Sequence, residues 1–234
     1  AEPRAADDPG INRGCRRARA LLPQSARARD PLSVADNQMT KSVGEHWACA
    51  ELARSGWAPA LTRDGIKRTD ILAVATHLAD RPTIEVQVKT ATDAGRGTTF
   101  LPGDPTGKHA ANDREWFVFV RLPRDCSHAL HGYVVPRDHA MAVTWIVHQN
   151  WLTSPDARPG SRNTDIGRSR IEPVVFEGYR DRWDLLDLPT SDVPVMLPTW
   201  VRDRATEERV GLPPAHPWAQ GFPAWLETDN FLSK

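Results

Sequence analysis

The chain has 234 residues, of which 40% are apolar and 26% charged, and its formal net charge is zero. That length buries a core without covalent staples, and the composition is that of a soluble globular protein with one main domain, not of a disordered or fibrous chain. The charge balance excludes a uniformly basic surface but leaves room for a local basic groove. The three cysteines, Cys15, Cys49 and Cys126, have no paired spacing, which excludes a zinc ribbon or disulfide framework.

No 18-residue apolar run and no signal pattern occur, so the reading is of a protein with no membrane partner and a reducing, cytoplasmic home. Residues 1–41 carry Arg13, Arg16, Arg17, Arg19, Arg27 and Arg29 without a sustained apolar period, and read as a flexible basic segment. An α/β core is expected over 42–187. Ser42 with Glu45 three residues later fits a capping box, and an apolar pattern from Trp47 to Ala53, stopped by Gly56, predicts an amphipathic helix. Trp57–Leu61 reads as a strand, and Arg63-Asp64-Gly65 as a hairpin turn. Two more strands follow at Asp70–Ala75 and Thr83–Thr90.

Residues 91–114 read as a long loop with a helical turn near His109–Asn112. Strands are predicted at Trp116–Val120 and Gly132–Val135, and Asp138 is positioned to open a helix carrying Met141, Val143, Trp145, Ile146 and Val147. Val174–Phe176 reads as a last short strand and Tyr179–Leu186 as a short helix. The proline-rich stretch 188–234 reads as an irregular extension draped over the core.

The segment Ile84-Glu85-Val86-Gln87-Val88-Lys89 alternates strictly. Its apolar members face one side of a strand, to lie under a helix, and Glu85, Gln87 and Lys89 face the other. A hairpin with the preceding strand sets the Asp70 carboxylate beside Gln87. Carboxylate and carbonyl oxygens suit Mg²⁺, which polarises a phosphate and acidifies water, while a neighbouring ammonium orients that water or stabilises the developing charge.

These residues resemble the PD-(D/E)XK nuclease superfamily, with its restriction-endonuclease-like mixed central sheet flanked by helices. The matching pieces are Gly44-Glu45, Thr69-Asp70-Ile71-Leu72-Ala73 and Gln87-Val88-Lys89-Thr90. The glutamine in the last piece is similar to Mrr-type restriction nucleases, and the helix acid to archaeal Holliday-junction resolvases. The resemblance implies a metal-dependent DNA endonuclease of restriction, defence or repair, and leaves open a homodimer. It implies Asp70, Gln87 and Glu45 as Mg²⁺ ligands (Mn²⁺ substituting) and Lys89 as the group serving the water. Gln87 removes one negative charge from the usual set, which Glu45 or Glu85 would have to restore. The family usually has a helix between its third and fourth strands, and residues 91–114 barely support one.

Blander readings stand beside this one. Glu85, Gln87 and Lys89 also fit the wet face of an ordinary strand, Asp70 a pairing with Lys67, Arg68 or Lys89, and Glu45 a purely capping role. A catalytically inactive module of this fold, binding DNA or a protein, is the alternative. Gly103–Lys108 is one residue short of a phosphate loop and has His109 where Ser or Thr belongs. Cys126, His128 and His131 lack the spacing of a zinc site. Trp116, Phe117 and Phe119 fit a buried strand better than a base-stacking platform.

Overall fold

The computed structural model describes residues 37–63, 67–93, 97–124, 128–158 and 160–226. Helix α1 (Asn37–Arg54) leads into strands β1 (Trp57–Leu61), β2 (Ile71–Ala75), β3 (Thr83–Thr92), β4 (Glu115–Leu122) and β5 (His131–Pro136), followed by helices α2 (Arg137–Leu152) and α3 (Thr199–Ala205). The strands form one mixed sheet in the order β1-β2-β3-β4-β5. β1, β2 and β3 meander antiparallel, β3 and β4 are parallel, and β5 returns antiparallel to β4. This is the α/β class with a mixed sheet and flanking helices. The N-terminal arginines, Asp64 and Gly65 of the hairpin turn, and Cys126 lie outside the described residues. No helix among the described residues is long and apolar enough to cross a membrane.

β4 is the spine of the sheet because Glu-Trp-Phe-Val-Phe-Val-Arg-Leu leaves only Arg121 exposed, as a strand covered on both faces must. α1 buries Gly44, Ala48 and Leu52, one residue per turn, and its small side chains bring the helix backbone close to the sheet. It ends at Gly56, whose φ of +84° suits glycine. The helix begins at Asn37, not Ser42, since nothing between those positions breaks it. Ser42 is therefore inside α1, its Oγ 3.4 Å from His46 Nδ1, and Glu45 is not the second half of a capping box.

Register fixes the two faces of the sheet. Trp57, Ile71, Ala73, Ala75, Ile84, Val86, Val88, Trp116, Val118 and Val134 share one face, on which α1 packs. Leu72, Glu85, Gln87, Lys89, Phe117, Phe119, Tyr133 and Val135 share the other. Only the β4–β5 half of that second face is plugged with aromatics: Phe176 stacks on Phe119 with centroids 4.6 Å apart, and Phe100 lies 5.1 Å from the same ring.

Several local expectations change. The described part of the crossover from β3 to β4 contains no helix. It is anchored instead by Phe100, whose backbone exchanges two hydrogen bonds with Ile171. His109–Asn112 forms no helical turn. Val174–Phe176 is not a strand: Pro173 opens a 3₁₀ turn over Pro173–Tyr179, because proline at a turn start withholds no needed donor. The helix expected over Tyr179–Leu186 is a 3₁₀ turn at Trp183–Asp187. α2 starts one residue before Asp138, directly after Pro136. The C-terminal extension includes α3 and buries Val193, Val195, Leu197, Val201 and Trp218, so it completes the core rather than merely covering it.

Candidate active site

Ile71 stands opposite Val86, and the paired register of β2 and β3 ends there. The Asp70 N–H donates to the Val86 carbonyl at 2.9 Å. In a regular ladder the Val88 N–H would next meet the Thr69 carbonyl. Instead Asp70 Oδ2 accepts from Val88 N at 2.8 Å, while the Thr69 carbonyl accepts from Thr62 Oγ1 at 2.7 Å and the Asp70 carbonyl from Thr62 N at 2.9 Å, both on the β1 side. The Asp70 side chain thus stands in for the Thr69 carbonyl as ladder acceptor, and β2 parts from β3 there. β3 runs on to Thr92 with β4 as its partner. Gln87 and Lys89 lie at this fork, both half-buried.

Lys89 has its pKa lowered, chiefly because burial disfavours the ammonium; Asp70 and Glu45 oppose the shift, while Arg137 and Lys41 add to it. These charges act on one another because the fork, the start of α2 and the middle of α1 converge. Gly44 makes that convergence possible. A Cβ built there would sit 1.8 Å from Thr90 Oγ1, so α1 approaches β3 closely only because position 44 has no side chain. The two short pieces quoted from the sequence, Gly44-Glu45 and Gln87-Val88-Lys89-Thr90, touch directly. Glu45 is mostly buried and pairs with Lys41 at 3.3 Å.

Two neighbours, Arg137 and Glu115, carried no signal in the sequence. Arg137, buried at the start of α2, lies 2.6 Å from Glu115 Oε2, donates to the Gln87 amide oxygen at 3.2 Å and to the Arg68 carbonyl at 3.0 Å, and sits 4.7 Å from the Phe117 ring centroid. Arg68 pairs with Glu115 at 2.7 Å, not with Asp70. Glu115 also accepts from the Ala111 N–H at 2.7 Å. Arg137 follows a proline at a strand end, a position with no periodic pattern to mark it. Glu85 is drawn off the site, accepting from Thr69 Oγ1 at 2.6 Å and Asn112 Nδ2 at 3.3 Å.

The donor set offered to a cation is the second Asp70 oxygen, the Gln87 carbonyl and the nearby Glu45. These are hard oxygens, as Mg²⁺ requires, and few, as suits an ion that keeps most of its water. Among the described residues no three His, Cys, Asp or Glu side chains gather to hold a metal. The Gly103–Lys108 loop satisfies itself: Asp104 Oδ1 takes the Thr106 N–H at 2.8 Å, a donor that a phosphate would need. His131 pairs with Asp181 at 2.9 Å. Trp116, Phe117 and Phe119 are fully buried. Comparison of the chain with family models, curated proteins and solved structures gave no match.

Proposed function

We propose that the chain is a divalent-metal-dependent endonuclease of the restriction-endonuclease-like kind, hydrolysing DNA phosphodiester bonds at the β2–β3 fork. The observation that carries this reading is the Asp70 carboxylate held on the Val88 N–H, between Gln87 and Lys89 on β3, with its charge acting on Lys89. Mg²⁺ or Mn²⁺ held by Asp70, the Gln87 carbonyl and, through water, Glu45 would polarise the phosphate and acidify the attacking water. The protein supplies the rest. Val88 N–H fixes the Asp70 carboxylate, so no rearrangement is needed when charge develops. Lys89, partly desolvated, offers its ammonium where the pentacovalent phosphorane gathers negative charge. Attack of water on phosphorus breaks the bond to the leaving oxygen, which takes up a proton from solvent, and the attacking water gives its proton to an acceptor, the role we assign to Glu45. A role in restriction, defence or repair, a cytoplasmic setting and pairing of two copies to cut both strands belong to the same proposal.

A second reading, a non-catalytic module that binds DNA or a protein, is favoured by one observation: Arg137 already occupies a lone pair of the Gln87 oxygen. Incubation with plasmid and single-stranded DNA in Mg²⁺, Mn²⁺ or EDTA separates the two. The nuclease reading expects metal-dependent cutting, lost in Asp70→Ala and Lys89→Ala with the fold retained. Cutting that survives in either purified variant defeats the site assignment, and binding without cutting in every metal supports the second reading.

A further inference from the structure

A cavity of about 670 Å³ opens at the C-terminal end of α2, between that helix, Leu101 of the β3–β4 crossover and the segment 163–170. Its size is that of a small-molecule pocket. It is distinct from the fork: His148 lies eleven residues beyond Arg137 on α2, roughly 16 Å at 1.5 Å per residue.

Three features of its lining point to one ligand chemistry. His148 is 5% exposed, and its Nε2 is buried with no hydrogen-bond partner. Burial lowers the ring's pKa, against the opposing pull of the Thr164 backbone, and in a neutral ring protonated on Nδ1 the unpaired Nε2 is an acceptor. A buried polar atom of this kind calls for a donor. Trp151 is 45% exposed and Leu101 42%, whereas the core tryptophans Trp57 and Trp116 are fully covered. The Arg162 guanidinium lies 5.2 Å from the Trp151 ring centroid and steadies the indole from one side. Arg168 and Arg170, both exposed, stand at the rim, Arg168 also pairing with Asp165 at 3.1 Å. A purely apolar ligand would leave Nε2 unpaired, and a free anion would leave the indole bare.

We propose that this cavity binds a nucleotide, its base lying against Trp151 and, with the imidazole turned toward the cavity, donating an amino or ring N–H to His148 Nε2, and its phosphate at Arg168 and Arg170. Every nucleobase carries such a donor and a π-face, so the pocket reads a nucleotide without selecting a base. The nucleotide comes either free or as an unpaired residue of a strand. The site stands on its own observations and does not need the fork to be catalytic.

The test is calorimetric titration of the full chain in EDTA with 5′-dAMP, 5′-dTMP, a mixed-sequence single-stranded oligonucleotide, thymidine and inorganic phosphate. Saturable binding of the mononucleotides is expected, weakened about tenfold or more in Trp151→Ala, the scale of one stacked base. His148→Phe should weaken it too, and His148→Gln, which keeps an acceptor, should recover part of the loss. Competition between the oligonucleotide and dAMP identifies a strand as the source; binding of dAMP alone identifies the free nucleotide. Unchanged affinity in Trp151→Ala, phosphate binding as tightly as dAMP, or no saturable binding of any nucleotide overturns the proposal. Lys89→Ala should bind dAMP like the unaltered chain, so failure of the pocket and failure of the nuclease reading are read separately.

Discussion

The second face of the sheet has two halves that differ in what lies over them. Over β4 and β5, Phe117 and Phe119 stack at 5.2 Å and Phe176 and Phe100 close the layer, so the middle of that half is apolar and dry, with Glu115 and Arg121 at its two ends. Over β2 and β3, the residues at the same level are Asp70, Gln87 and Lys89. Lys89 pairs in register with Phe119, and Gln87 with Phe117. One strand spacing therefore separates a packed aromatic layer from a cluster of charges. The boundary is guarded by Arg137, which puts its guanidinium face on Phe117 and its donors on Glu115 and Gln87. The contrast teaches that the polar cluster is not an unfilled part of the core. It is held in place by a core that stops one strand short.

Breaking the dry half should cost the most. Phe119→Ala removes a fully buried ring that stacks on two others, and a loss of about 3–5 kcal/mol is expected in denaturant unfolding. A loss under about 1 kcal/mol would mean that the aromatic layer is not a support. At the polar half, Asp70→Ala and Lys89→Ala should each lower metal-dependent DNA cleavage by about 10²–10³-fold while leaving the circular dichroism spectrum unchanged. Gly44→Ala probes the contact that joins α1 to the polar half. Overpacking against Thr90 should cost about 1–3 kcal/mol, and Thr90→Ala in the same chain should restore part of it. No recovery would place the strain elsewhere.

Acid should act first on the covered side. Burial drives the His139 pKa from 6.5 to about 3, with His216 adding to the shift, and the Tyr179 hydroxyl meets its Nδ1 at 2.8 Å. Between those values the unfolded chain binds a proton that the folded chain refuses. Stability should therefore fall as pH drops through that window, by up to about 1.4 kcal/mol per unit. A His139→Gln chain whose melting temperature has the same slope between pH 6.5 and 4 would remove His139 as the cause.

Much of the architecture was legible. The run from Trp116 to Val120 has no polar interruption, so it had to be a central strand. The alternation from Ile84 to Lys89 assigned each side chain to a face before any partner was known. Val174–Phe176 misled because β-branched and aromatic residues look alike in a strand and in a packed 3₁₀ turn, and Pro173 decides between them. Ser42 and Glu45 matched a capping box by spacing alone, which says nothing about whether a helix continues upstream. At the candidate site, Gln87 and Lys89 were visible from the local alternation of one strand, Asp70 from the hairpin reading and Glu45 from the resemblance. Arg137 and Glu115 were not, since only tertiary contact brings them to Gln87.

Local pattern was enough for the five strands, the helices before and after them, and the face on which each β3 side chain stands, because periodicity is a property of neighbouring residues. What only the tertiary structure decided was that β2 leaves β3 at Asp70, that α1 comes close enough for Glu45 to act on Lys89, and that Arg137 claims the Gln87 oxygen. Those depend on register between distant segments and on the space around Gly44, and no local pattern encodes either.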